Sequence, residues 1–418
     1  MRKHTLRAAA VSVAVLTAVS LAGCGTRSSD AGSGSSSGDV KTDFGVTDDT
    51  ITLGVMSDFS VVYGPLAKTV YAGDQIWADE VNAAGGICGR KIKFDVQDQK
   101  MDTQLANTEY AGMKNDVLGL VHLLGSPIIS SLLPQIKADH MPTIAVGWSA
   151  DYLGTPEIAV LGTTYDLDEI NGVQHLVDEG KIHKGAAIGH IYMAGDFGEN
   201  AAEGAKYAAG KLGLTYVGKK VDATATDISA EMSALKAAGV KAILVSTGPK
   251  QTAMVASQAP SLGLDVPILV NAPSYDPSLL QSPAAATVLK NLEVVTSMVP
   301  YAGDSEGQKK IQEGFAKVAE KGVNPTQHAG YGYAGATVLG EAIKAACEDG
   351  DLTRQSVVDH LRELDSVDTD GIYPALDFSD PATPSSTKSV ILKAAKNEGG
   401  LKQVGDYFAS PLQDGYKR

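Results

Sequence analysis

Asn82-Ala83-Ala84-Gly85-Gly86-Ile87-Cys88-Gly89-Arg90-Lys91-Ile92 stands between a long helical pattern and a short β-branched run. Paired glycines end a helix with a residue at positive φ, and Gly89 permits a tight reversal into extended chain. The stretch therefore reads as helix, turn, strand. Its helix reaches back over residues 66–84 and its strand forward over 92–96. Further short apolar runs at 51–56, 117–123 and 143–146 alternate with helical patterns at 103–114 and 127–138. Such alternation builds a parallel sheet covered by helices on both faces.

The pattern pauses over residues 160–166 and restarts. A helix at 167–179 leads into strands at 186–191, 215–221, 242–246 and 268–270. Helices at 198–212, 228–238 and 251–262 fall between them, with Asp196, Asp227 and Gly248 as candidate caps. A strand at 294–299 is followed by helices at 306–321, 334–348 and 354–364, then by strand-like runs at 375–378 and 390–394. The fold class is α/β, with two doubly wound parallel-sheet lobes. Late segments left over after two similar halves imply a multi-strand hinge that the chain crosses more than once.

Composition narrows the function. The 418 residues carry 35 Lys+Arg against 49 Asp+Glu, a formal charge of -14, so binding to nucleic acid has no electrostatic footprint. At the N-terminus, Arg2, Lys3, His4 and Arg7 precede an apolar run that closes on Leu21-Ala22-Gly23-Cys24. This is an export-signal pattern over residues 1–23, shorter than the roughly 20 apolar residues a spanning helix needs. Leu-Ala-Gly-Cys resembles the lipobox of bacterial lipoproteins, which implies that Cys24 is lipidated and that the protein is anchored at the outer face of the cell membrane. Residues 24–45, rich in Gly and Ser at first, read as a tether. Gly34-Ser35-Ser36-Ser37-Gly38 matches the G-x-S-x-G nucleophile pattern but lacks the strand before it and the helix after it that the chemistry needs.

With Cys24 taken by lipid, Cys88 and Cys347 are an even pair in a compartment that permits disulfides. A bond between them is expected; two separate buried thiols are the alternative.

The turn at 82–92 resembles the "N-A-A-G-G-(I/V)-x-G-(R/K)-K-(I/L)" turn of the leucine/isoleucine/valine-binding protein family, the type I periplasmic binding proteins of branched-chain amino acid ABC importers. Other stretches keep that family's order: Asp49-Thr50-Ile51-Thr52-Leu53-Gly54-Val55 in the first strand, Asp196-Phe197-Gly198 opening a helix of the second lobe, and Tyr331-Gly332-Tyr333-Ala334-Gly335-Ala336 in a late helix. The resemblance covers about residues 46–410. It implies a first lobe of residues 46–165 plus 300–370 and a second of 166–299 plus 371–410, which puts Cys88 and Cys347 together in one lobe. It also implies a small-molecule solute held by hinge closure, permease and ATPase subunits as partners, and a monomer.

In open parallel sheets, ligands sit beyond the carboxyl ends of strands. The candidate ligand-binding residues are therefore Tyr63, Ser126, Gly147, Trp148, Ser149, Tyr192, Phe197, Thr247 and Tyr275. By the resemblance, Ser126 and Ser149 stand where hydroxyls and helix N-termini hold a ligand carboxylate. Simple N-capping is the alternative for each serine. Trp148 offers a flat ring for an apolar ligand body, with ordinary core packing as its alternative. The family's amino-acid binders pair the ligand ammonium with an acid in the second lobe, and here Pro273 falls near that position. A buried ammonium without a counter-charge is costly, so unless Asp196 or Asp276 substitutes, a neutral or anionic solute fits equally well.

No zinc-spaced cluster and no H-E-x-x-H occurs, and neither metal, cofactor nor catalytic residue is expected. The G-x-G-x-x-G at Gly330–Gly335 follows a Pro-containing loop and fails the strand requirement for nucleotide binding. His122, inside an apolar strand, reads as a core histidine. A ligand-sensing receptor and, further off, an exported hydrolase are the competing functions.

Overall fold

The computed structural model describes residues 40–417. The signal segment, Cys24, most of the tether and the Gly34–Gly38 motif lie outside the described residues.

Two sheets organise the described chain. After the short β1 (Lys41–Thr42) come β2 (Thr50–Ser57), β3 (Lys91–Asp98), β4 (Gly119–Leu124), β5 (Thr143–Val146) and β6 (Ile158–Ala159). Strands β2 to β6 pair in parallel in the order β3-β2-β4-β5-β6, linked by helices α1 (Gly64–Ala83), α2 (Thr103–Met113) and α3 (Ser126–Ala138). Every residue of β4 and β5 is buried, which is why these strands read as continuous apolar runs without alternation.

The second sheet follows α4 (Tyr165–Asp178) and contains β7 (Ala187–Met193), β8 (Thr215–Val221), β9 (Ala242–Ser246), β10 (Ile268–Asn271) and β11 (Leu292–Thr296). Its crossovers include α5 (Asp196–Leu212), α6 (Ser229–Ala237), α7 (Pro249–Ser261) and α8 (Ala285–Asn291). The chain then returns to the first lobe as α9 (Glu306–Val318), α10 (His328–Glu348), β12 (Asp351–Leu352) and α11 (Arg354–Leu361). It ends in the second sheet with β13 (Ser389–Ala394) and β14 (Leu401–Phe408), both antiparallel, giving the order β14-β13-β11-β10-β9-β7-β8. The order reverses beside β2 in one sheet and beside β7 in the other, and such switch points open crevices for ligands.

Three connections run side by side between the sheets. The Thr163 amide donates to Ser297 Oγ (2.8 Å), the Gly162 amide to Ser385 Oγ (2.8 Å), and the Ser385 hydroxyl to the Val160 carbonyl (2.8 Å).

Close helix packing explains the glycines of the late helix. A Cβ on Gly332 would sit 2.0 Å from the Val70 carbonyl oxygen, and one on Gly73 would sit 2.0 Å from that of Ala329. Gly332, inside the Gly330–Gly335 motif, is thus where the α10 backbone lies against α1. The helix begins at His328, earlier than the expected residue 334. At the far end of α10, Cys347 is disulfide-bonded to Cys88 in the turn after α1. Gly86 in that turn has φ +85°, and a Cβ there would meet the Arg90 carbonyl oxygen at 2.0 Å.

Three segments differ from the sequence expectation. Residues 375–378 make no strand; Leu376 forms only an isolated bridge with Val367, and the Phe378 carbonyl accepts from Arg362 Nη1 (3.0 Å). Lys41–Thr42, at the end of the expected tether, pairs with Asp351–Leu352. β14 was not expected because its middle residues are exposed and polar, leaving no apolar signal. Among the described residues, no helix is long and apolar enough to cross a membrane.

Candidate functional site

The loop after β2 is folded by its own acid. Asp58, fully buried, accepts from the Val61 amide through Oδ1 (2.8 Å) and from the Tyr63 amide through Oδ2 (2.7 Å). Tyr63 is thereby fixed at the entry to α1, and its hydroxyl reaches Met193 Sδ at the end of β7 (3.4 Å). After β4, Gly125 at φ +102° turns the chain into α3 and puts Ser126 in its first turn. No side chain caps this helix, and Pro127 contributes no N–H, so the leading amides and the positive end of the helix are available to a ligand.

Trp148 follows β5. Its Nε1 donates to the Leu161 carbonyl (3.1 Å), and its ring stands edge-on to Tyr331 (4.8 Å between centroids) and Tyr165 (5.9 Å). Tyr165 in turn packs against Phe197 of α5 (4.4 Å). These four rings form a wall running from the first lobe into the second. Burial pushes the Tyr63 and Tyr165 phenols far above their ordinary range, so both are neutral hydrogen-bonding groups.

Trp148, Tyr165 and Phe197 of this wall bound a small cavity between the two sets of strand ends. Tyr63, Leu66, Met101, Leu124, Gly125, Ser126, Pro127, Val146 and Trp148 line it from one side, Met193, Phe197 and Pro273 from the other, and Tyr165 between them. The lining contains no Asp, Glu, Lys or Arg. A second, more polar chamber shares Tyr63, Leu66 and Pro273 with the first and adds Lys250, Asp276, Ser278, Thr326 and His328.

Of the residues named from sequence, Tyr63, Ser126, Trp148 and Phe197 line the apolar cavity. Gly147 adjoins it: a Cβ there would lie 3.3 Å from Ser126 Oγ and 3.5 Å from the Tyr152 hydroxyl oxygen. Ser149 is turned away, its hydroxyl donating to Asp151 Oδ2 (3.1 Å) while it accepts from the Asp151 amide (3.3 Å) as a local cap. Thr247 is held by its neighbours, with its amide on Ser274 Oγ (3.1 Å) and its hydroxyl on the Gly248 carbonyl (3.2 Å). Tyr275 lines the outer chamber, its hydroxyl donating to the Gly400 carbonyl (2.7 Å). Tyr192 faces a separate depression with Glu199 and Tyr216. Of the two acids considered as substitutes for Pro273, Asp196 accepts from the Ser130 hydroxyl and Asp276 stands in the outer chamber.

Sequence reasoning misses Met101 and Tyr165. Met101 could have been found by extending the strand-end rule to β3. Tyr165 carries no such signal, because it opens α4 after an irregular connection.

A family model described as periplasmic binding protein matches residues 50–398. The chain belongs to the periplasmic binding protein family. The structure is similar to a fatty acid ABC transporter substrate-binding protein from Thermomonospora curvata, with 38% identity over 90% of this chain and 97% of that one and a TM-score of 0.87. A branched chain amino acid ABC transporter protein from Thermus thermophilus with bound valine shares the fold at 19% identity, covering 88% of this chain and 98% of that one, TM-score 0.78. A leucine binding protein from Thermotoga maritima does so at 16%, covering 87% and 100%, TM-score 0.73. No curated protein matches significantly. As a periplasmic substrate-binding protein of an ABC transporter, it works outside the cytoplasm, binds a small solute without transforming it, and meets permease components.

In this periplasmic binding protein, one constellation has the spacing of a hydrolytic triad. Ser57 Oγ lies 2.8 Å from His122 Nε2, and His122 Nδ1 lies 2.9 Å from Asp74 Oδ2. All three residues are fully buried, none lines the cavity, and burial lifts the Asp74 carboxyl to about 6. With its serine sealed from any substrate, the chain of bonds ties α1 to the β2 and β4 strand ends that carry the site.

Proposed function

We propose that the protein captures an aliphatic monocarboxylic acid, fatty-acid-like in character, between its lobes and delivers it to an ABC permease. The observation that carries this reading is the uncharged lining of the interlobe cavity, with Pro273 facing it where an ammonium would need an acid. Burying an ammonium there would leave it without a counter-charge, a cost of several kcal/mol. An alkyl chain meets the opposite conditions among Leu66, Met101, Leu124, Val146 and the aromatic wall. The fatty acid-binding relative at 38% identity supports the same class.

Closure follows from ligand contacts that span both lobes, so the liganded protein favours the closed state. Calorimetric titration with decanoate, dodecanoate, leucine and valine tests the assignment. One molecule of fatty acid per protein, with no heat from the amino acids, is expected; saturable leucine or valine binding in preference to the acids would overturn it.

Attachment through Cys24 at the cell membrane belongs to the same proposal, two acyl chains giving the stable anchoring that one does not. Detergent-phase partitioning of the native protein, lost in Cys24→Ala, is the expected result.

A further inference from the structure

An acid bound by its chain must still place its carboxylate, and the apolar cavity contains no cation to receive it. The outer chamber offers two donors. His328 is 1% exposed, and its Nε2 has no hydrogen-bond partner among the described residues. Its Nδ1 lies 3.1 Å from Thr326 Oγ1, which already accepts from the His328 amide (3.2 Å). When the Thr326 hydroxyl donates to Nδ1, the ring proton lies on Nε2. Burial holds this imidazole far below its ordinary range, at about 3, so it is a neutral donor. Lys250 stands in the first turn of α7, enters no salt bridge among the described residues, and lines the same chamber.

We propose that the outer chamber is the headgroup end of the site: the carboxylate rests on His328 Nε2–H and the Lys250 ammonium, and the chain runs inward past Tyr63, Leu66 and Pro273. This polarity rests on the aliphatic-acid reading above. A carboxylate oxygen on Nε2 satisfies a buried polar group that an alkyl chain would leave uncompensated. Asp276 lines the chamber too, with its Oδ1 engaged by the Ser278 amide (2.8 Å). The uncapped N-terminus of α3, beside Ser126, is the competing position for the carboxylate.

The test compares dodecanoate with 1-dodecanol, which shares the chain and lacks the charge, on the intact exported domain by calorimetry. The wild type should prefer the acid, and Lys250→Met should lower acid affinity about tenfold while leaving the alcohol within twofold. His328→Phe should also reduce the preference, with circular dichroism reporting whether that variant folds. Equal wild-type affinity for acid and alcohol, or an unaltered preference in Lys250→Met, would overturn the polarity. Loss of the preference in Ser126→Ala alone would move the carboxylate to α3 and overturn it too. Failure of the wild type to bind either compound would instead remove the aliphatic-acid reading, and the polarity with it.

Discussion

The Tyr63 hydroxyl donates to Met193 Sδ over 3.4 Å, joining the loop after β2 in one lobe to the end of β7 in the other directly across the cavity. Thioether sulfur is a weak acceptor, so this contact contributes little energy and its value lies in placing both side chains. Phe197, beside it, presents a whole ring to the cavity. Phe197→Ala should weaken fatty-acid binding about 10- to 100-fold, the equivalent of ~1.5–3 kcal/mol of lost apolar contact. Tyr63→Phe, which keeps the wall and removes only the hydroxyl, should change affinity less than about threefold. Calorimetry on the two variants decides; an equal loss in both would mean that the hydroxyl contact dominates.

The Cys88–Cys347 disulfide closes a loop with a sequence separation of 259. On the chain-entropy model such a loop is worth roughly 5 kcal/mol, an upper bound given residual structure in the unfolded chain. Both cysteines lie at the edge of the first lobe where β3 begins, opposite the strand ends that form the site. Cys88→Ser with Cys347→Ser should therefore lower Tm by several degrees and leave ligand affinity within about twofold. Thermal melts with and without dodecanoate measure both; a collapse in affinity at unchanged Tm would contradict this division.

Where a strand is buried on both faces, its residues announce it: β5 and β9 have the limits expected from sequence, at 143–146 and 242–246. β14 escapes because pairing with β13 and not burial specifies it. The site was legible to the extent that strand ends point at it, which brings in Tyr63, Ser126, Trp148 and Phe197. Ser149 and Thr247 occupy equivalent chain positions, yet local hydrogen bonds absorb their polar groups, and no periodicity reveals that. The outer chamber was hidden for a different reason: His328 and Lys250 lie 78 positions apart, in different lobes, and share it only through the second crossing between lobes.

Arg354, 3% exposed, bridges segments of the first lobe and enters no salt bridge among the described residues. Its guanidinium donates to the carbonyls of Val117 (2.7 Å), Leu118 (3.3 Å), Asp139 (3.4 Å) and Lys114, with the Phe44 ring 4.7 Å away. A planar fork can serve several carbonyls at once, whereas an ammonium on a flexible stem cannot. Arg354→Lys should cost about 2–4 kcal/mol from the carbonyls left unpaired. Urea denaturation provides the measurement; a loss below about 1 kcal/mol would mean that water replaces the lost donors.

A buried acid in the second lobe should make stability depend on pH in an unusual direction. Glu169 is fully buried, with Oε1 3.0 Å from the Ser246 hydroxyl, and burial raises its carboxyl to about 8. The folded protein then holds a proton that the unfolded chain releases near pH 4.5, so stability falls as pH rises toward 8 and levels off above it. Asp74 and Asp168, both raised to about 6, act in the same direction but finish earlier. His190 and His328, lowered to about 3, act in the opposite direction, and only below their ordinary value of 6.5. The interval from about pH 6.5 to 8 therefore isolates Glu169, where one proton corresponds to a slope of at most about 1.4 kcal/mol per pH unit. Glu169→Gln keeps the shape and cannot ionise, so its stability should be flat across that interval while the wild type declines. Urea midpoints at pH 6.5, 7.2 and 8 give the comparison, and parallel curves for the two proteins would show that Glu169 is already ionised at neutral pH.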